Sequence, residues 1–297
     1  MAILRHLHAE LPDLAPLLVT SSPYAHLPIR AGIPTLRLPG ALESRRFAFD
    51  PPLPAADLLV VDTFADGAHG ELTAERLQAF PRRALIAREH APEGRAWPVY
   101  HLRLAPHDED PRPGVEAVGP VLLRQPEEAL APQQARLALG MGPGPLVVAM
   151  HAGDDGEIMG FFDQVTAAVG LLPGVQLVLL TPLPLPGGPW PDVRHVHPAM
   201  EVLPAADLIL CGAGYNSYWE TRALGKRVLL RPFGRSHDKQ EARAGDGAAF
   251  TALTGPDELA ARIQAALGAE APAAVRCDGA RLAASRLATL VKRPPAC

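Results

Sequence analysis

Cysteine is scarce in this chain, and the three present, Cys211, Cys277 and Cys297, lie far apart and without the spacing of metal ligands. A reduced, cytoplasmic protein without a metal site is the expectation. No apolar run approaches the roughly 20 residues that a membrane span requires, because proline or polar residues interrupt each one. No charged-then-apolar leader opens the chain, so it is expected to be neither secreted nor membrane-spanning. Charge of one sign is lacking too: 28 basic and 32 acidic residues leave a net charge of −4, which gives no electrostatic case for nucleic-acid binding. Internal repeats are absent beyond an architectural likeness between the two halves. Apolar residues are abundant. At 48% of 297 residues they exceed the needs of one small core and fit two domains of ordinary size.

The stretch 206–245 is the most legible. Leu208, Ile209 and Leu210 form a short apolar run of buried parallel-strand type, and Gly212 and Gly214 free the backbone where a strand turns into a helix. The pattern places the start of that helix at Ser217, whose spacing to Glu220 fits a capping box, with Trp219, Ala223 and Leu224 toward a sheet and Gly225 stopping the helix. Lys226 to Phe233 supplies the next strand, and His237, Asp238, Lys239 and Gln240 lie just past its C-terminal end. In open parallel sheets that edge is where ligands bind, and a helix N-terminus after a glycine turn suits a diphosphate. The plainer alternative is that the glycines only turn the chain and Glu220 only caps its helix.

An acidic residue in the helix after a glycine turn, the run ALGK, a strand ending in Pro232-Phe233 and an Asp-x-Gln loop together resemble a known pattern. They look like the donor half of bacterial glycosyltransferases related to the lipid II-forming N-acetylglucosaminyltransferase. The resemblance is specific over 193–245, looser over 115–160, and a matter of layout before that. It implies an α/β protein of two Rossmann-like domains, the GT-B fold. It also implies an inverting transferase with a UDP-sugar as co-substrate and no other cofactor. By position, Glu220 would hold the ribose hydroxyls, and the turn Gly212–Ser217, with Gly214 and Asn216, would hold the diphosphate. Of the loop His237–Gln240, Asp238 and Gln240 would face the sugar hydroxyls, while Val196 and His197 match the segment whose backbone meets the uracil edge. The acceptor is unidentified, with a lipid-linked one among the options and peripheral contact at the inner face of the cell membrane as the corresponding location.

Elsewhere the chain alternates as an α/β protein should. Ile3, Leu4, Leu7 and Leu11 mark an amphipathic first helix, and LAPLLVTSS a strand after it. The strand and glycine-rich, histidine-bearing loop that the family places before that helix have no counterpart, so an incomplete first domain is expected. A short helix at 24–32, an extended segment at 34–38, the strand ADLLVVDTF, a helix over 71–80 and the strand RALIAREH follow. Asp62, His69 and His90 are candidate catalytic bases, although strand-end carboxylates and imidazoles more often cap turns. VEAVGPVLLR reads as the last strand of a first domain, 1–123, with a linker at 124–145, a donor domain at 146–277 and a terminal helix at 278–297 that in this fold crosses back. In LVVAMHAGDDGE, Gly153 is the candidate for a second phosphate loop, but Asp154 and Asp155 would repel a diphosphate and fit a helix cap better. GVQLVLLTP is a buried strand, PLPLPGGPWPDV a proline-stiffened loop, and a helix covers 256–267. Two functions remain open, a UDP-sugar-dependent glycosyltransferase and a non-catalytic nucleotide-sugar-binding protein. An epimerase lacks a matching acid/base set.

Overall fold

The computed structural model describes residues 1–22, 24–38, 53–67, 70–88, 92–107, 110, 112–182, 190, 193–235, 238, 240–245 and 249–292. Three expected site residues, His69, His90 and His237, lie outside them, as does most of the loop PLPLPGGPWPDV. The chain divides into two units, Met1–Val121 with Asp278–Cys297, and Leu122–Cys277.

The first unit runs α1 (Ala2–Glu10), β1 (Leu18–Thr20), α2 (His26–Arg30), β2 (Thr35–Arg37), β3 (Leu59–Thr63), α3 (Ala74–Gln78), β4 (Arg83–Ala87), β5 (Leu102–Ala105) and β6 (Glu116–Ala117), and the C-terminal helix Gly279–Lys292 (α9) completes it. Strands β3-β4-β5-β6 form one parallel sheet in that order, while β1 and β2 pair in a separate parallel ladder. Among the described residues no strand joins the two. Alternate residues of β4 serve opposite faces. Ala84 and Ile86 meet Leu7 of α1 and the small face of α9, Ala283, Ala284 and Ala288, whereas Leu85 and Ala87 meet Leu77, Trp97 and Tyr100. The close approach of α9 begins at Gly279, where a Cβ would stand 2.1 Å from the Gly119 carbonyl.

The second unit runs α4 (Pro132–Ala138), β7 (Leu146–Met150), α5 (Asp155–Val169), β8 (Gln176–Thr181), β9 (Val193–His195), β10 (Leu208–Gly212), α6 (Tyr215–Ala223), β11 (Val228–Arg231), α7 (Gln240–Ala244) and α8 (Pro256–Gly268). Its five strands are all parallel, in the order β11-β10-β7-β8-β9. Val147, Ala149, Leu208 and Leu210 face Phe161, Phe162 and Val165 of α5 and Leu259 and Ile263 of α8. Val148, Met150, Ile209 and Cys211 face the other way, onto Ala135, Leu139, Leu203 and Ala205. The segment 124–145 therefore folds into this unit through α4. Both faces being covered explains why β7 and β10 are unbroken apolar runs. The order reverses between β7 and β10. Chains on either side of that point leave the sheet in opposite directions, opening a crevice at the C-terminal ends of the strands.

Candidate functional site

Three turns border that crevice, after β7, β10 and β11. The β10 turn leads into α6, which starts at Tyr215 with Gly214 as its N-cap and no side-chain cap. Ser217 therefore does not begin the helix, and the expected capping box with Glu220 is absent. A glycine reaches the extended N-cap conformation, here φ −62° and ψ 153°, without a hydroxyl to mark it. The backbone N–H groups of Asn216 and Ser217 have no hydrogen-bond partner among the described residues. The other end closes as expected. Gly225, at φ +60°, donates to Arg222 O at 3.1 Å and Lys226 to Thr221 O at 3.0 Å, a Schellman pair.

Glu220 sits in the body of α6, half-buried, and its carboxyl has no hydrogen bond or ion pair with any described residue. Burial pushes its pKa up to about 7, and burial together with the neighbouring Glu220 carboxylate raises the Cys211 thiol. A helix-capping role is thus excluded for Glu220. What remains is a half-buried carboxyl with a raised pKa and no partner among the described residues, and perturbed groups of this kind cluster at functional sites.

The β7 turn differs. Asp154 caps α5 by accepting from Glu157 N at 2.8 Å, so this N-terminus is already satisfied by an anion of its own. His151, at the end of β7, stacks on Phe233 with ring centroids 4.1 Å apart and planes 12° apart. Its ring fills the space between the two glycine turns: a Cβ on Gly153 would stand 2.5 Å from Nε2, and one on Gly212 2.7 Å from Nδ1. Burial lowers the His151 pKa against the opposing pull of Glu157, whose Oε2 lies 3.3 Å from Nε2. Arg235 donates from both terminal nitrogens to the Glu157 carboxylate, one of them to Oε1 at 2.7 Å, and holds that carboxyl below its usual range. The sequence signal for His151, Glu157 and Arg235 is position alone: His151 and Arg235 follow the ends of β7 and β11, and Glu157 lies in the first turn of α5.

In the β11 loop, Gln240 is buried with both polar ends engaged. Its Oε1 accepts from Phe233 N at 3.0 Å, and its Nε2 donates to Asp238 Oδ2 at 3.1 Å. Asp238 also pairs with Arg243, whose Nε donates to Ala213 O at 2.9 Å. The Gln240 amide thus ties the loop to the end of β11. Asp238 stays half-buried beside it and ties the loop to the β10 turn through Arg243. Val196 and His197 follow β9 at the same sheet edge, with Val196 N donating to Thr181 O at 3.2 Å. In the first unit, Asp62 lies exposed near the C-terminal end of β3 and accepts from Thr63 Oγ1 at 3.2 Å.

A depression of about 650 Å³ lies at the opposite, N-terminal edge of the second sheet, lined by Arg136, Leu137, Met141, Asp207 and Arg227 among others. Arg136 is committed there to Gly142 O, Gly144 O and Asp207, which closes the chain into β7, and the site described above is elsewhere. Among the described residues no group of His, Cys, Asp and Glu could hold a metal ion, and no helix is long and apolar enough to cross a membrane.

No protein-family model matches the chain, and no curated protein does. Solved structures do. The glycotransferase of kitacinnamycin is similar with a TM-score of 0.63 at 16% identity, over 98% of this chain and 94% of that one. MurG of Acinetobacter baumannii has a TM-score of 0.54 at 12% identity, over 97% of this chain and 94% of that one. The spinosyn forosaminyltransferase SpnP has a TM-score of 0.54 at 12% identity, over 98% of this chain and 90% of that one. The chain therefore has the GT-B fold, two Rossmann-like domains with parallel sheets.

Proposed function

We propose that the chain is a glycosyltransferase that takes its sugar from a UDP-sugar bound at the C-terminal edge of the second unit's sheet. The observation that carries this is Glu220, a half-buried carboxyl with no partner among the described residues, on a helix whose Asn216 and Ser217 N–H groups are likewise unspent, at the switch point of a parallel sheet. A nucleoside diphosphate would satisfy both: ribose hydroxyls donate to the carboxylate, and phosphate oxygens accept from Asn216 and Ser217 N–H. In this proposal Val196 and His197 meet the uracil edge, and the loop that carries Asp238 lies toward the sugar. The likeness of fold to glycosyltransferases supports the reading, as does the resemblance over 193–245 to the lipid II-forming family.

During transfer, charge builds on the departing diphosphate, and the helix-end N–H groups are already oriented to receive it. Deprotonation of the acceptor hydroxyl needs a base, for which Asp62, His69 and His90 stand as the candidates. The same resemblance extends the proposal to an inverting enzyme of the cytoplasm that meets a lipid-linked acceptor at the inner face of the membrane. Calorimetry of the full chain with UDP tests the donor, and release of UDP from UDP-sugars in the presence of lipid-linked acceptors tests transfer. Binding with no turnover on any acceptor would assign the non-catalytic alternative. No heat of binding at millimolar UDP would overturn both.

A further inference from the structure

We propose that Arg235 is the residue that recognises the donor's diphosphate, and that Glu157 holds its guanidinium in place while the subsite is empty. This rests on the reading of the second unit as a nucleotide-sugar site.

The two glycine turns at the switch point are electrostatically opposite. The β7 turn carries Asp154, Asp155 and Glu157, and Asp154 occupies the N-terminus of α5. A diphosphate placed there would meet three carboxylates. The β10 turn carries no acid, and the N–H groups of Asn216 and Ser217 at the start of α6 are unspent. One phosphoryl group on those N–H groups therefore directs the other toward the His151 ring, which lies within contact distance of a Cβ built on either Gly153 or Gly212. Beyond its Nε2 lie Glu157 Oε2, at 3.3 Å, and Arg235, which pairs with that carboxylate.

Of the described guanidinium groups around the crevice, Arg235 is the one whose side-chain partner is a single carboxylate, with a further bond to the adjacent Gly234 O at 3.1 Å. Arg243 is fixed by the Ala213 carbonyl and Asp238 beneath the β10 turn. Arg231 donates to Gln164 Oε1 at 3.0 Å and lies 4.8 Å from the Phe233 centroid, so it faces α5. Arg235 is exposed, and its two-pronged bond goes to Glu157, a carboxylate that presents the same pair of oxygens as a phosphoryl group. The pair is partly open to water, so a phosphoryl group, which offers the same two-pronged geometry, can compete with Glu157 for the guanidinium. Glu157 thus acts as a stand-in for the anion, keeping Arg235 ordered over the crevice. His151, kept neutral by burial and stacked on Phe233, supplies the floor on which the exchange occurs.

The test is calorimetry of the full chain with UDP and with uridine. Arg235→Ala should weaken UDP by roughly ten- to hundredfold and leave uridine unchanged, because a hydrogen bond to a charged group is lost. Glu157→Gln should tighten UDP by roughly two- to fivefold, because the competing carboxylate is gone. Misfolding cannot produce a gain in affinity, so the second variant keeps the proposal falsifiable if the first is unstable. Wild-type binding of UDP with no change in either variant would overturn this proposal and leave the nucleotide-sugar site intact. Weaker UDP binding in Glu157→Gln would also overturn it. Failure of the wild type to bind UDP at all would overturn the site, and this proposal with it.

Discussion

Replacing Glu220 by glutamine asks whether a carboxyl has been left unpaired for a ligand. Burial moves its pKa from 4.5 to about 7. At about 1.4 kcal/mol per pKa unit, keeping the group ionised costs the folded chain about 3 kcal/mol. The folded form binds this proton more tightly than the unfolded form. Between pH 4.5 and about 7 the folded chain therefore holds a proton that the unfolded chain has lost, and stability falls as pH rises through that window, then levels off. Glutamine keeps the shape and removes the titration. In urea denaturation of the full chain at pH 8, Glu220→Gln should be more stable than wild type, by up to about 3 kcal/mol. Near pH 4.5 the two should converge. At pH 8 the same variant should bind UDP at least about tenfold more weakly, since the charged acceptor for the ribose hydroxyls is gone. A gain in stability joined to a loss of binding marks a group retained for function at the expense of the fold. A variant less stable than wild type at pH 8 would refute the reasoning, because it would mean that the carboxylate has a partner in the fold.

Gly212→Ala should destabilise the chain by about 1–3 kcal/mol, since overpacking there drives His151 off Phe233. Gly214→Ala, whose Cβ meets nothing nearer than Gln240 Nε2 at 3.8 Å, should stay within about 1 kcal/mol by the same denaturation assay. Gln240→Ala should weaken UDP and UDP-sugars by equal factors, because it cuts the Phe233 and Asp238 bonds that shape the loop; loss of discrimination among sugars with UDP affinity intact would show a direct contact. In hydrogen exchange, residues 18–20, in a two-stranded ladder, and 59–63, paired on one side among the described residues, should open more readily than 146–150 and 208–212, each paired on both sides. Equal protection would mean that the first unit's sheet has a further partner.

What could be read from the sequence follows from how each element is buried. LVVAM, QLVLLT and LILCG are central strands covered on both faces, so nothing polar interrupts them and their apolar runs stand out. LRLA of β5 was missed because its Arg103 is accommodated by a neighbour, the Trp97 ring 5.5 Å away, which no local pattern reveals. VRH of β9 was missed as well, being a three-residue edge strand with two polar members. The start of α6 was misplaced for a related reason. A side-chain cap advertises itself as Ser, Thr, Asp or Asn. Gly214 caps with backbone alone, and the first serine or threonine after it is Ser217. Glu220 and the glycine turn were legible because they lie within one strand–turn–helix unit. His151, Glu157 and Arg235 were not, because their association depends on β7, α5 and β11 being brought together by the sheet.

That difference bears on how the two glycine turns should be weighed. HAGDDGE and CGAGYNS look alike as strand-to-helix turns, and both invite a phosphate. The first helix accepts its own Asp154 and sets Glu157 against Arg235; the second leaves the N–H groups of Asn216 and Ser217 and the Glu220 carboxyl without a partner among the described residues. Among the described residues, an anion entering this crevice therefore meets attraction from α6, and from Arg235 once it displaces Glu157. A ligand with a single phosphoryl group near the ribose satisfies the α6 side alone. Only a diphosphate reaches both, so UDP should gain more over UMP here than the added charge on α6 would give by itself, and Arg235→Ala should erase that extra gain.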